Sequence, residues 1–190
     1  MNYSGHYIIK GNRNIIWLLL IISWFNTSAI VVPETFEENI GKILFKIERS
    51  RDPDEIWYTV NLNQNGSLNQ DMPVKAFWVR KNENYKIEPL TRIQKRFGYG
   101  IRAVDSENSR NNEWQFQLAA YKNQIFILKR SADFQYKVFT LSGSKEIEVE
   151  RIFVEFDGGS FLAPNIAEVK LTGIDLKTGR EFTEIISSSK

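Results

Sequence analysis

The 190-residue chain has no cysteine and a single histidine, His6. Without thiols there is no disulfide, no thiol redox chemistry, no Cys-His nucleophile and no thiolate metal site. The histidine lies so near the start that losing a short leader removes it too. Ser-His-Asp catalysis, imidazole metal ligation and a histidine pH switch then go with it. What remains for hydrolysis is carboxylate chemistry, so the composition points away from an enzyme. No metal and no cofactor is expected.

Long apolar runs are nearly as scarce. Ile15 to Phe25, IIWLLLIISWF, follows a polar segment that carries Lys10 and Arg13 and no acid. Thr27 and Ala29 then have the spacing of a small-residue cleavage site. This is the layout of a secretory signal peptide over residues 1–29, and its apolar core falls short of the roughly 20 residues that span a bilayer. The alternative is an uncleaved anchor, with the span stretched to Val32. No integral membrane segment is expected beyond it. With no cysteine after the cleavage point, a lipid-modified N-terminus is excluded. The expected location is outside the cytoplasm, periplasmic or extracellular. Cleavage takes two of the 25 basic residues and none of the 23 acids, which leaves the chain near neutral. Attraction of the whole protein to nucleic acid or to anionic membranes is therefore not supported, and no nucleic-acid partner is expected.

Residues 30–42 read as a flexible, acidic lead-in, and 43–190 as a single β domain. The two-residue period dominates from Ile43 onward. Ile43, Phe45 and Ile47 share one face, as do Ile56, Tyr58, Val60 and Leu62. Val74 to Arg80 is apolar on both faces, which suits a doubly covered strand. Trp114, Phe116 and Leu118 alternate with Glu113, Gln115 and Gln117, and the following QIFILKR completes a hairpin. In IEVERIFVEF the inward parity changes between Val149 and Ile152, which a β-bulge near Glu150-Arg151 would reconcile. Asn65-Gly66-Ser67 matches a glycosylation acceptor but is read as a turn. The expected fold is mainly β, an antiparallel barrel or strongly curved sandwich of about nine to ten strands with one short helix at about residues 90–97.

That helix is the segment EPLTRIQKRFGYGIRAV, Glu88 to Val104. Thr91 and Gln94 have capping-box spacing, and Gly98 is a candidate left-handed stop. Leu90, Ile93 and Phe97 form the face expected to dock it. Arg92, Lys95 and Arg96 lie opposite, where cations suit the negative end of a helix. Between Lys75 and Arg102 the basic residues are Lys75, Arg80, Lys81, Lys86, Arg92, Lys95, Arg96 and Arg102, opposed by Glu83 and Glu88 alone. Phe77, Trp78, Tyr85, Phe97 and Tyr99 are interleaved. Charge beside aromatic faces holds phosphate, carboxylate or sugar ligands, so Trp78, Arg92, Arg96, Tyr99 and Arg102 are the candidate ligand-binding residues. The competing reading is a solvated face balanced by Glu146, Glu148, Glu150, Glu155 and Asp157.

Other motifs are weaker. Ser142-Gly143-Ser144-Lys145 has the S-x-x-K spacing of penicillin-recognising enzymes, but it joins two strands rather than opening a helix, so it is read as a turn. Asp52-Pro53-Asp54-Glu55 and Asp157-Gly158-Gly159 lack the alternating ligands of a calcium loop and are read as surface turns.

Pro73-Val74 leading to Trp78, then Pro89-Leu90-Thr91, then Tyr99-Gly100, together with Ala120-Tyr121 and Ile152-Phe153-Val154, resemble the secreted bacterial domain family of unknown function numbered 4833. The resemblance runs from about Leu44 to Phe156. Its pattern has alanine before the Tyr-Gly pair, where this chain has Gly98. The family has no established activity, so no catalytic residue can be carried over from it; it implies an exported, single-domain bacterial protein. The expected function is a non-catalytic binding module of the cell envelope for an unknown small or polymeric ligand. The alternatives are a carboxylate-based hydrolase of envelope glycans and a barrel carrying lipid or another apolar ligand.

Overall fold

The computed structural model describes residues 41–104, 113–159 and 164–187. The expected leader and residues 30–40 of the lead-in lie outside them. Two consecutive meanders build the sheet. The first is β1 (Ile43–Arg49), β2 (Asp52–Val60), β3 (Val74–Arg80) and β4 (Lys86–Pro89). The second is β5 (Ile101–Ala103), β6 (Trp114–Leu118), β7 (Tyr121–Arg130), β8 (Tyr136–Ser142) and β9 (Lys145–Gly159). One parallel ladder joins them, with Lys46 to Arg49 of β1 paired to Arg151 to Val154 of β9. The resulting path, β4-β3-β2-β1-β9-β8-β7-β6-β5, curls into a half-barrel. A final hairpin, β10 (Pro164–Asp175) and β11 (Arg180–Ser187), pairs along β9 and completes an 11-stranded sheet.

The mainly β, strongly curved architecture with one short helix is the expected one. The strand count is slightly higher, and the path does not close on itself: β4 and β5 are its two ends, and no ladder joins them among the described residues. Every ladder except β1–β9 is antiparallel.

The parity change in β9 is resolved by a bulge. Opposite β10 the register runs Thr172 to Arg151 and then Gly173 to Val149, leaving Glu150 as the extra residue. Ile147 and Val149 before it, and Ile152 after it, are therefore all buried. β10 takes one edge of β9 on both sides of this bulge, so β8 and β1 share the other edge, one before the bulge and one after it. The two meanders thus leave β9 on either side of a bend, with their inner faces packed together. Phe45 of β1 stacks on Tyr58 of β2 with ring centroids 4.3 Å apart, and on Phe126 of β7 at 5.9 Å. Phe126 in turn stacks on Phe116 of β6 at 5.5 Å. These rings pack with aliphatic side chains of both meanders, among them Ile56, Leu128 and Ile147, in one buried cluster that fills the interior. The Asn65-Gly66 and Gly143-Ser144 turns are as read: Gly66 and Gly143 have positive φ, and Asn65 accepts the Ser67 amide across its turn. Asp157-Gly158-Gly159 is not a surface turn but the end of β9, where Gly158 and Gly159 pair with Asn165 and Pro164 of β10.

Candidate functional site

The open seam between β4 and β5 is where the sequence is least β-like. β4 covers only Phe77 to Arg80 of β3, so Val74 to Ala76 face the seam without a strand partner on that side. Across the seam β5 offers its own free edge. The chain crosses between them as a single turn of α-helix, Arg92–Gln94, that runs into a π-helical stretch, Lys95–Tyr99. This helical bridge is nucleated by the capping box: the Gln94 amide donates to the Thr91 hydroxyl at 3.3 Å, and the Gln94 side chain accepts the Thr91 amide at 2.8 Å.

Two expectations about the bridge are corrected. Gly98 does not stop it; its φ is not positive, and the helical turn continues through it to Tyr99. The stop is Gly100, whose backbone is extended and lies so close to the Lys95 carbonyl that a Cβ would fall 1.9 Å from that oxygen. Nor do Leu90, Ile93 and Phe97 dock it together. Leu90 is 5% exposed, but Ile93 and Phe97 are 59% and 66% exposed. The reason is geometric: Leu90 precedes the N-cap, so helical phase does not govern its direction. Docking falls instead to Leu90, to the Tyr99 ring and to the main chain. The Ala120 amide donates to the Gly98 carbonyl at 2.9 Å, the Ala119 amide to Gly100 at 2.8 Å, and the Tyr58 hydroxyl to Tyr99 at 2.8 Å. Burial pushes the Tyr58 phenol well above its ordinary range, so it remains a donor.

The five sequence candidates divide into two groups. Trp78 and Tyr99 meet edge to face, 6.4 Å apart, at the packed root of the bridge. The Arg49 guanidinium stands 4.4 Å from the Trp78 ring centroid and 5.8 Å from that of Tyr99, and Arg80 lies 5.0 Å from Trp78. Arg92, Arg96 and Arg102 are exposed, and Arg102 donates to the Arg96 carbonyl at 3.2 Å. Among the described residues the basic segment also splits by pairing. Arg80, Lys81 and Lys86 are bound to Asp54, Glu55, Glu83 and Glu88. Lys75, Arg92, Lys95, Arg96 and Arg102 form no ion pair. Glu146 and Glu148, expected to balance them, are taken by Lys129 and Lys137.

Asp54 and Glu55 are not surface-turn residues. They open β2 and are 7% and 4% exposed. Asp54 accepts from the Trp78 indole at 3.2 Å, from Arg80 at 2.9 Å and from the Lys81 amide at 3.0 Å. Glu55 accepts from the Trp57 indole and from the Lys81 ammonium, both at 2.7 Å. Burial raises both carboxyl pKa values, but these donors and the adjoining cations outweigh it and hold both below their ordinary values. Neither is a proton donor at neutral pH. The sequence did carry a signal for Asp54 and Arg49, since each continues the inward parity of its strand: Asp54 that of Ile56, Tyr58 and Val60, Arg49 that of Phe45 and Ile47.

Beside the bridge the seam opens into a cleft of about 620 Å³. Val74, Ala76, Phe77, Leu90, Ile101 and Trp114 give it an apolar wall. Lys75 and Lys95, two of the unpaired cations, also line it, with Asp71 as its acidic member. No group of His, Cys, Asp and Glu suited to a metal ion occurs among the described residues. None of their helices is long and apolar enough to cross a membrane. No curated protein and no solved structure matches the chain. A family profile does match, over residues 45–185, from β1 through most of β11 and across the entire seam. The chain therefore belongs to the family described as Domain of unknown function (DUF4833).

Proposed function

We propose that this chain is an exported, non-catalytic binding module of the cell envelope, whose ligand occupies the seam cleft and combines an apolar body with an anionic group. The observation that carries this reading is the cleft itself: an apolar wall at the open edges of the sheet, with Lys75 and Lys95 unpaired along it. Ligand sites have this make-up, a mostly apolar concavity with few polar groups that fix orientation. The filled interior argues against a ligand inside the half-barrel, so any carrier role falls to the seam. The glycan-hydrolase alternative loses its best acids, because Asp54 and Glu55 are committed to their cationic and indole partners.

The probe is anilinonaphthalene sulfonate, a fused aromatic body bearing a sulfonate. Binding at one site per chain is expected, weakened at least tenfold by Ala103→Trp, which fills the mouth from an exposed edge position. Equal affinity in that variant, with an unchanged melting temperature, would remove the cleft as the site. Export has its own measurement. The protein recovered from outside the cytoplasm should begin at Ile30, and recovery of an intact Met1 terminus in the cytoplasm would refute it.

A further inference from the structure

Ile93 and Phe97 are exposed large apolar side chains four positions apart on the helical bridge, and such side chains share a helix face. A lone exposed apolar residue means little. This pair is different in its surroundings. Arg92 and Arg96 each precede one of them by a single position, about 100° around the axis, which sets a cationic stripe beside the apolar one. The Arg96 guanidinium lies 5.2 Å from the Phe97 ring centroid, along the apolar surface rather than away from it. Arg102 reaches the same turn through its bond to the Arg96 carbonyl. None of Arg92, Arg96 and Arg102 has an acidic partner among the described residues.

We infer that the helical bridge is a membrane-docking element: Ile93 and Phe97 enter the headgroup boundary of an anionic bilayer while Arg92, Arg96 and Arg102 meet its phosphates. Apolar side chains flanked by cations with charged heads able to reach back to the interface are the make-up of peripheral membrane contacts. The near-neutral chain as a whole supplies no such attraction, so the contact is local to this turn. A free anion does not account for both halves of the surface, because it leaves Ile93 and Phe97 in water. The inference stands whether or not the seam cleft takes a ligand.

The absence of cysteine permits a clean test in the full chain. Ile93→Cys, labelled with an environment-sensitive nitrobenzoxadiazole, places the only dye on the bridge, and Leu141→Cys places it on a distant exposed strand position. Phosphatidylglycerol-containing vesicles are expected to shift the residue-93 emission to the blue and expose it to quenching by brominated lipid. The residue-141 label stays aqueous. Because the readout is local, partitioning of the apolar N-terminal run does not mimic it. Arg92→Gln, Arg96→Gln and Arg102→Gln together should weaken the response by roughly a hundredfold, about fivefold per cation. These side chains are exposed, so near-ultraviolet circular dichroism should be unchanged. A residue-93 label that stays aqueous on these vesicles overturns the inference. So does the same shift on neutral phosphatidylcholine vesicles, or on inorganic phosphate or dextran sulfate without lipid.

Discussion

Gly100→Ala should destabilise the protein by about 3 kcal/mol, whereas Gly98→Ala, two residues earlier, should leave it unchanged or gain up to about 1 kcal/mol. The two glycines flank Tyr99 and look interchangeable in sequence. Gly100 has ordinary extended dihedrals, so its need for glycine is one of space: a Cβ there would meet the Lys95 oxygen at 1.9 Å and its carbon at 2.7 Å. Both atoms are backbone and cannot rotate aside. Relief requires pulling the end of the bridge away from Lys95, which also loosens the Ala119 and Ala120 bonds that tie it to the β6–β7 turn. Gly98 has nothing within 4 Å of its would-be Cβ and no positive φ. Alanine there reduces the freedom of the unfolded chain at no steric cost. Thermal unfolding separates the two readily, since 3 kcal/mol corresponds to roughly 10 °C in a chain of this size. Equal behaviour of the two variants would show that the bridge ends elsewhere.

Asp54→Asn is the second substitution with a large expected effect, a loss of about 2 to 3 kcal/mol at neutral pH. The carboxylate receives three donors, and an amide nitrogen in place of either oxygen confronts at least one of them. The loss stays below that of a fully buried pair because Arg80 is partly exposed and can regain water. The pH dependence has a definite sign. Burial acts to raise the Asp54 pKa, while Arg80, Trp78 and Lys81 lower it by more, so the net shift is downward. A group depressed in the folded state stabilises the fold above its unfolded pKa, near 3.9 for aspartate, and that contribution is lost as pH falls through the folded value. The gap between the wild type and the variant should therefore be constant from about pH 5 to 7 and close below about pH 4. Denaturant unfolding across that range measures it. A gap unchanged at the acid end would mean that the loss is one of packing and not of charge.

Much of the fold is legible in the sequence, and the failures have physical causes. Alternation places the strands because one face of each is packed against a filled interior, and the parity change in β9 locates the bulge at Glu150 because a slip of one residue would otherwise turn Ile152 outward. The capping box at Thr91 and Gln94 is readable because it is local. The course of the chain beyond the cap is not. Whether Ile93 and Phe97 are covered depends on which surfaces lie opposite a short segment, and no periodicity reports that. Asp54 and Glu55 beside Pro53 read as turn residues because their composition outweighs their parity, and their partners come from Arg80, Lys81 and Trp78, distant in the chain. The cleft is invisible for the same reason: it is made by strands that stop short, β4 and β5, and by the distance left between their edges. Of the candidate residues, composition finds both the cationic rim and the aromatic root, but it has no means of telling one from the other.

The parallel ladder between β1 and β9 sets the entropic cost of the whole architecture. Every other ladder joins strands that are consecutive in the chain, so each meander can form from near neighbours. Pairing Lys46 with Arg151 instead closes a loop of about a hundred residues, which costs about 4 kcal/mol of chain freedom in the simplest loop-closure treatment. That cost is met once, at a single ladder of four residue pairs. The stacking of Phe45 on Phe126, one ring from each meander, is the interaction best placed to offset it, because it exists only after that loop has closed.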